Sequence, residues 1–336
     1  MPSPCSVPSA DASTYSMTIL IAESVGFAPL ALQRLRQRAH VIEGDLDRAE
    51  LLAAVSSADV LWVRLRNQVD EEVLNAATRL RVIVTNTTGL NHVDVDAARQ
   101  RGICVLSLRG ETEVLRTVRG TAELTLGLIL ALVRRVPAAA AHVNAGGWNR
   151  YGFKGHDLYE KTAGIVGLGR LGQIVATYLQ ALGMHVLATT PESGGAPGVT
   201  LVPLDELLTL ADVVSVHVDL NPGTRGLIGE REFATMKNGA WFVNTSRGEV
   251  VDEPGLLAAL ERGTLAGAAL DVLAGEPPVN MPFHPLVRYA ATHDNLILTP
   301  HIGGYTFESL ARTELHLTTV LMRVLDQLEA TPSSRA

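Results

Sequence analysis

Apolar runs of strand length alternate with helical patterns along the first third of the chain. Because consecutive parallel strands need a helical crossover between them, this alternation predicts a parallel sheet with helices on both faces. The predicted strands are Thr18–Ile21, His40–Ile42, Val60–Val63, Val82–Val84 and Cys104–Leu106. The predicted helices between them are Leu30–Arg38, Asp47–Val55, Glu71–Ala77 and Val95–Arg101.

A second alternating series starts after residue 160. It predicts strands at 163–166, 185–189, 213–217, 240–243, 266–270 and 296–298, and helices at 171–182, 204–209, 228–236 and 253–262. The expected fold class is therefore α/β, with two doubly wound parallel-sheet domains. The last apolar-faced segment, Phe307 to Leu328, has no strand of its own, and we expect it to pack back on the first domain.

A long apolar stretch joins the two series. From Glu111 to Val136 the pattern is helical, and its core, GTAELTLGLILALVRRV, is apolar over much of its circumference. Such a helix is either buried in the core of one domain or covered partly by a second subunit, and its breadth favours the second interpretation. Pro137 and the alanine-rich run after it predict another helix that ends near Gly146.

Composition narrows the function classes. The 336 residues carry a net charge of −7, which argues against non-specific nucleic-acid binding. The longest mostly apolar run, Leu124 to Val133, is too short to span a bilayer, and no spacing typical of a metal site occurs. Residues 1–16 are rich in Pro, Ser and Ala and lack the regions of a secretory signal, so we predict a disordered tail on a cytoplasmic protein.

The motif with the clearest chemistry is a glycine loop, Gly167-Leu168-Gly169-Arg170-Leu171-Gly172, between a predicted strand and a predicted helix. Gly167 allows the sharp turn, Gly169 leaves room for a pyrophosphate, and Gly172 allows the helix to pack close to the strand. The open helix N-terminus offers N–H groups and a positive dipole end to phosphate. A tight turn without a ligand is the alternative, but the order of strand, loop, helix and strand favours a dinucleotide site.

Three later strands end in polar or charged residues. Arg247 lies in the segment NTSRG, Glu276 in ALDVLAGEPP, and His301 in LTPHIGG. Ligands bind at the carboxyl ends of strands in open α/β sheets, so these positions are candidate site residues. Taken singly, each has an ordinary interpretation as a surface arginine, a turn residue or a structural histidine.

Together, the three residues supply what hydride transfer to a carbonyl requires. Arg247 can bind the substrate anion and polarise its C=O group, and His301 can give a proton to the oxygen. Glu276, if it is hydrogen-bonded to His301, favours the imidazolium and orients it. General acid–base help of this kind contributes roughly 10²–10⁴-fold to a rate.

From about residue 18 to 325 the chain resembles the D-isomer-specific 2-hydroxyacid dehydrogenase family, on its phosphoglycerate dehydrogenase-like branch. The resemblance rests on GLGRLG, NTSRG, ALDVLAGEPP and LTPHIGG in this order and spacing. It implies a Rossmann dinucleotide domain, residues 111–303, inserted in a flavodoxin-like substrate domain, residues 17–110 and 304–330. It also implies homodimers built through residues 111–146, and catalytic roles for Arg247, Glu276 and His301.

The resemblance further implies binding residues. The loop 86–94 would hold the substrate carboxylate through backbone N–H groups, with Thr88 and Gly89 beside Arg247 and His301 as the substrate-binding set. The cofactor contacts would include, besides the three glycines of the loop, Arg170, Leu171, Thr190, His217, Val218, Thr245, Asp271 and Gly303, and less directly Thr88.

The chain departs from the family pattern at the second dinucleotide strand. Thr190 stands where the family has an acidic residue that binds the ribose hydroxyls of NAD. Loss of that charge makes NADP possible, but no Lys or Arg occurs in 186–200 to bind its extra phosphate, and Glu192 is near. NAD is therefore the favoured cofactor. Two smaller departures, Gly89-Leu90-Asn91 for G-x-D and His217-Val218-Asp219-Leu220 for H-x-P-L, would change only the shape of the pocket.

Two further questions follow from the resemblance. The family's fold also serves NAD-binding corepressors, so a regulatory protein without turnover is the alternative function; the complete catalytic trio favours the enzyme.

The substrate is left open at the level of a small 2-keto or 2-hydroxy acid. Arg64 and Arg66 follow the third predicted strand and would either bind a second anionic group, such as a phosphate, or be solvated loop residues.

Overall fold

In a computed structural model the chain forms two compact units, and residues 17–191, 194–276 and 280–330 are described. The units divide between Thr117 and Val118 and again between Thr306 and Phe307. The limits expected from the sequence were 110 and 303, so the segment 111–117 belongs to the first unit and 304–306 to the second. The predicted tail 1–16 and Glu192 lie outside the described residues.

The first unit alternates short strands and helices. Its elements in chain order are β1 (Thr18–Ile21), α1 (Pro29–Arg36), β2 (His40–Glu43), α2 (Arg48–Ala54), β3 (Val60–Val63), α3 (Glu71–Ala76), β4 (Val82–Thr85), α4 (Val95–Gln100), β5 (Cys104–Leu106) and α5 (Thr112–Leu115). The second unit begins with α6 (Gly120–Val133), α7 (Val136–Asn144), β6 (Thr162–Val166), α8 (Arg170–Ala181), β7 (His185–Thr189), β8 (Val199–Leu201) and α9 (Leu204–Leu210). It continues with β9 (Val213–Val216), α10 (Glu230–Thr235), β10 (Ala240–Asn244), α11 (Glu253–Glu261), β11 (Leu265–Leu270), α12 (Pro285–Ala290) and β12 (Leu296–Leu298). The long helix α13 (Phe307–Ala330) returns to the first unit.

Both sheets are parallel and doubly wound. The first has the strand order β2-β1-β3-β4-β5, which is the flavodoxin-like order. The second has the order β12-β11-β10-β9-β6-β7-β8, which is the Rossmann order with one additional strand. Apolar clusters cover both faces of each sheet, so the central strands β3, β4, β9 and β10 are buried along their whole length. The predicted fold class is confirmed.

Three elements differ from the sequence-based expectation. The single helix expected between Glu111 and Val136 is two helices, α5 and α6, because the chain leaves helical geometry around Thr117 and restarts at Gly120. The short strand β8 and the six-residue helix α12 were not expected. Each is too short to show a period in its sequence, and each forms because a neighbour supplies the packing surface.

The helix α6 is mostly a core element, whereas α7 is not. Half of α6 is buried, including Leu128, Ile129 and Leu132, but no residue of α7 is buried. Within the described ranges no single helix is long and apolar enough to cross a membrane. The bent pair Thr112–Val133 and Val136–Asn144, at 67° to each other, meets that test by length and composition only.

Candidate active site

The glycine loop turns from β6 into α8, and its three glycines have different surroundings. Gly167 has φ +96°, and a Cβ there would lie 2.5 Å from the carbonyl oxygen of His217. A Cβ on Gly172 would lie 2.1 Å from the oxygen of Gly167, so the helix packs directly on the turn. A Cβ on Gly169 would meet no described protein atom within 4 Å. The loop is therefore closed towards the protein at two glycines and open at the third, as a bound pyrophosphate requires.

The first turn of α8 is available to an anion. No described side chain caps this helix, whose N-cap is Gly169. The guanidinium of Arg170 donates to the carbonyl of Val118 at 2.9 Å, while burial and the nearby Arg119 lower the pKa of Arg170. Leu171 is half-buried against the apolar cluster below the helix. Free N–H groups and a helix dipole are the elements of a phosphate site, and these residues fit one.

The loop after β9 faces the glycine loop at the point where the strand order reverses. Val218 lies beside Gly167, and its Cγ1 would be 2.8 Å from a Cβ on that glycine. The ring Nε2 of His217 lies 2.9 Å from the hydroxyl of Ser215. Burial lowers the pKa of His217 from 6.5 to about 4, so this imidazole is neutral at physiological pH. A neutral ring can line a cofactor crevice without adding charge to it.

Thr190 directly follows β7 on the other side of the glycine loop. It is half-buried, and the carbonyl of the preceding Thr189 accepts the N–H of Gly167 at 2.9 Å. The end of β7, where Thr190 stands in place of the expected acidic residue, is thus fixed to the glycine turn. The sequence around it carries no Lys or Arg within 186–200.

The three candidate catalytic residues follow three neighbouring strands. Arg247 comes after β10, Glu276 after β11 and His301 after β12, and these strands are adjacent in the sheet. The Nδ1 atom of His301 lies 2.5 Å from Oε2 of Glu276, and both side chains are about one-quarter exposed. The ring is held through Nδ1, which leaves Nε2 to face a substrate.

His301 stands on a strained backbone that a buried carboxylate holds. Its φ of +53° is in the left-handed region, which non-glycine residues rarely adopt. Asp271, 1% exposed, accepts bonds from the hydroxyl of Thr299 at 2.5 Å and from the N–H groups of Ile302 and Gly303 at 2.9 and 2.8 Å. Burial raises the pKa of Asp271. In the structure Asp271 therefore fixes the loop that carries His301, and its predicted contact with a cofactor is a separate proposal.

Arg247 is a partly buried cation with acidic neighbours. Burial lowers its pKa, and the charges of Glu276, Asp219 and Glu249 act in the opposite direction. One guanidinium nitrogen donates to the carbonyl of Ser246 at 2.7 Å. An arginine stays charged in proteins, so the group can bind a carboxylate or polarise a carbonyl oxygen.

Two further cofactor candidates line the same side of the second unit. The hydroxyl of Thr245, 6% exposed, pairs with that of Thr125 on α6 at 2.8 Å. A Cβ on Gly303 would lie 3.0 Å from Asp271 and 3.1 Å from Thr121. The first turns of α6 therefore contact both positions.

The predicted substrate loop belongs to the first unit. Thr88 is exposed and Gly89 is half-buried, after β4. The hydroxyl of Thr87 donates to the carbonyl of Gly89 at 2.8 Å, and the buried His92 bonds Thr85 at 3.0 Å beneath the loop. These bonds order the loop. The three candidate catalytic residues lie in the other unit.

The two arginines after β3 are not free loop residues. Arg64 is 9% exposed and forms an ion pair with the fully buried Glu314 at 2.5 Å, and it donates to the carbonyl of Val25 at 2.7 Å. Arg66 pairs with Asp45 at 2.9 Å. Of the two alternatives left open, a solvated loop residue does not describe Arg64, whose carboxylate partner lies 250 residues away in the sequence.

Sequence reasoning also missed residues around the site. Glu253, the first residue of α11, accepts the N–H of Ala274 at 2.7 Å in the turn that carries Glu276. Gly248 touches the same turn, since a Cβ there would lie 1.9 Å from the carbonyl carbon of Leu273. The only sequence signal for either was its closeness to Arg247, because the contacts form between distant segments.

Comparisons with known proteins give the family. The profile of the D-isomer specific 2-hydroxyacid dehydrogenase, NAD binding domain, matches residues 126–303. Human D-3-phosphoglycerate dehydrogenase is 39% identical over 272 residues, which cover 80% of this chain and 49% of that protein. The chain thus spans about half the length of that relative.

Solved structures agree with the family profile. The TT0316 protein from Thermus thermophilus has a TM-score of 0.82 and 39% identity, covering 93% of this chain and 97% of that one. D-lactate dehydrogenase from Aquifex aeolicus, in complex with NAD and lactic acid, has a TM-score of 0.78 and 28% identity, with coverages of 92% and 96%. On the profile match, the two-sheet fold and these relatives, the chain belongs to the D-isomer specific 2-hydroxyacid dehydrogenase family.

Proposed function

We propose that the protein is a D-2-hydroxyacid dehydrogenase that reduces a small 2-keto acid with NADH and catalyses the reverse oxidation. The observation that carries the proposal is the pairing of His301 with Glu276 beside Arg247, on three adjacent strand ends. The glycine loop of the same unit supplies the dinucleotide site. The human and Aquifex aeolicus relatives named above are dehydrogenases and give no support to the corepressor alternative.

The roles of the side chains follow from their positions. NADH, when bound, supplies the hydride that reaches the carbonyl carbon. Arg247 binds the substrate carboxylate and polarises the keto group, and His301 transfers the proton from Nε2 to the oxygen. Glu276 keeps its carboxylate on Nδ1, so the ring stays oriented for the transfer.

The residues fit NAD better than NADP. The open space at Gly169 and the uncapped N-terminus of α8 suit the pyrophosphate that both cofactors share. A 2′-phosphate needs a cation, and the segment 186–200 around Thr190 contains none. We therefore infer a higher kcat/KM with NADH than with NADPH, and a large advantage for NADPH would contradict the inference.

The substrate class is a monocarboxylic 2-keto acid. Arg247, in the second unit, provides a charged guanidinium for a single carboxylate. Arg64 is committed to Glu314, so it does not supply a ready site for a second anionic group. A screen of glyoxylate, hydroxypyruvate, pyruvate, branched 2-keto acids and 3-phosphohydroxypyruvate with NADH tests the proposal. Oxidation of NADH with one or more of them is expected, and cofactor binding without turnover on any would overturn it.

We also propose a homodimer built through residues 111–146. In the single chain the helix α7 buries none of its residues, and it leaves Val136 and Val143 about half exposed. Exposed apolar groups on a helix mark a contact surface. Light scattering should give twice the chain mass for the wild type. The substitution Val143→Glu should shift the protein towards the monomer, whereas Val25→Glu, at an exposed valine outside this region, should not.

A further inference from the structure

The turn 273–276 is held by an unusual set of carboxylates. Its successive N–H groups each donate to a different glutamate: Leu273 to Glu276 at 2.5 Å, Ala274 to Glu253 at 2.7 Å, and Gly275 to Glu249 over a long 3.5 Å. Gly275 has φ +70°, which allows neighbouring N–H groups to converge. Such a nest of amides carries partial positive charge and attracts anions.

Each of the three glutamates also has a basic neighbour. Glu276 pairs with His301 at 2.5 Å, and the charge of Glu249 acts on Arg247. Oε2 of Glu253 lies 3.2 Å from Nε2 of His284, and the two side chains are 16% and 14% exposed. The first pair lies within the proposed catalytic trio and the second includes its Arg247, whereas the pair of Glu253 and His284 has no role in the trio.

The His284 ring contacts Glu253 through Nε2, whereas its other ring nitrogen makes no hydrogen bond with a described residue. Its Nδ1 atom is buried and has no partner among the described residues. Since an unsatisfied buried nitrogen is unfavourable, another contact must fix the ring. The contact that the structure provides is Glu253, at the N-terminus of α11.

We propose that Glu253 and His284 are positioning residues for the catalytic pair. Glu253 holds the turn through Ala274, and the turn aims Glu276 at Nδ1 of His301. His284 fixes the second oxygen of Glu253, so the carboxylate cannot rotate away from Ala274. Neither residue contacts substrate or cofactor in this role, and the inference rests on the proposed dehydrogenase activity.

The substitution Glu253→Ala tests the proposal. Loosening the turn misaligns Glu276, so kcat for keto-acid reduction should fall about 10- to 100-fold while the KM for the keto acid and the Kd for NADH stay near their wild-type values. The matched control is Glu261→Ala, an exposed glutamate at the other end of α11, which should leave kcat and KM unchanged.

Two additional variants make the result independent of folding. Glu253→Gln keeps an oxygen for Ala274 and should recover most of kcat, even if the alanine variant does not fold. In a Glu276→Gln background, Glu253→Ala should cause no further loss of kcat, because the two residues act through one contact.

The outcomes separate the two proposals. An inactive wild type refutes the dehydrogenase function itself. An active wild type whose Glu253→Ala variant matches Glu261→Ala in kcat refutes the positioning role alone. A further loss of kcat on adding Glu253→Ala to the Glu276→Gln background also refutes it, since Glu253 would then act on the site by another route.

Discussion

At the scale of single residues, the three glycines of one loop have different structural roles. Within the six residues of this loop, an added methyl group would overlap backbone atoms at Gly167 and Gly172. At Gly169 it would point into open space. The sequence predicted these three roles from spacing alone. It could do so because a turn from a strand to a helix over a pyrophosphate fixes the geometry of each position.

This difference predicts opposite phenotypes for two alanine substitutions. Gly172→Ala should lower the free energy of unfolding by about 1–3 kcal/mol, because its Cβ would overlap the oxygen of Gly167. Gly169→Ala should leave the stability unchanged and weaken NADH binding. Urea unfolding and NADH fluorescence titration measure the two effects. Equal loss of stability in both variants would contradict the assigned roles.

His217 predicts a stability that depends on pH. Its pKa is lowered from 6.5 to about 4 in the folded state, so between these values the unfolded chain binds the proton more readily. Stability is therefore fully present above pH 6.5 and falls as the pH falls, and the contribution of this residue at pH 5 is about 2 kcal/mol below that at pH 7.

The substitution His217→Gln isolates that term, since glutamine can still bond Ser215 but does not titrate. Urea unfolding at pH 7 and pH 5 should show a smaller difference for the variant than for the wild type. His40→Gln, at an exposed histidine in the first unit, serves as the control with the wild-type difference. An unchanged pH dependence in His217→Gln would show that the ring is not buried in its neutral form.

At the scale of elements, continuous apolar runs were predictable, whereas a mostly exposed strand and a break within an apolar helical stretch were not. The strands β1 and β3 have the predicted limits, since a buried parallel strand is a continuous apolar run. The strand β8 has three residues, of which Thr200 and Leu201 are exposed, so its sequence shows no apolar run. It is a strand because it pairs with β7. Likewise, α5 and α6 separate because of local backbone geometry near Gly120, which an apolar count does not detect.

The helix α13 was expected to pack back on the first domain, and a buried ion pair anchors it there. Glu314 is fully buried, pairs with Arg64 and accepts the N–H of Ala28 at 2.7 Å, while burial raises the pKa of this carboxyl group. Glu329, near the end of the same helix, pairs with Arg38 on the surface.

These two glutamates predict unequal effects on stability. Glu314→Ala leaves the guanidinium of Arg64 buried without its carboxylate, and the free energy of unfolding should fall by about 3–5 kcal/mol. Glu329→Ala removes a solvated pair and should change the stability very little. Denaturant unfolding of both variants measures the difference, and a small loss in Glu314→Ala would mean that water or another group replaces the pair.

At the scale of the whole molecule, the sequence predicted the two sheets and the family, but not the side-chain contacts between distant segments. Motif order along the chain indicated Arg247, Glu276 and His301, because strand ends of a parallel sheet meet at one edge. It gave no sign of Arg64 with Glu314 or of Glu253 with Ala274, which join segments 250 and 21 residues apart. Side-chain pairs of this kind depend on the folded packing and have no local sequence period.

The central claim is that His301, held by Glu276, is the acid for reduction of a 2-keto acid. The most direct measurement compares wild type, His301→Ala and the exposed-histidine control His293→Ala in NADH-dependent turnover and in NADH binding. We expect His301→Ala to lower kcat by about 10²–10⁴-fold while the Kd for NADH is unchanged, and His293→Ala to match the wild type in both. Turnover that survives nearly intact in His301→Ala would contradict this claim.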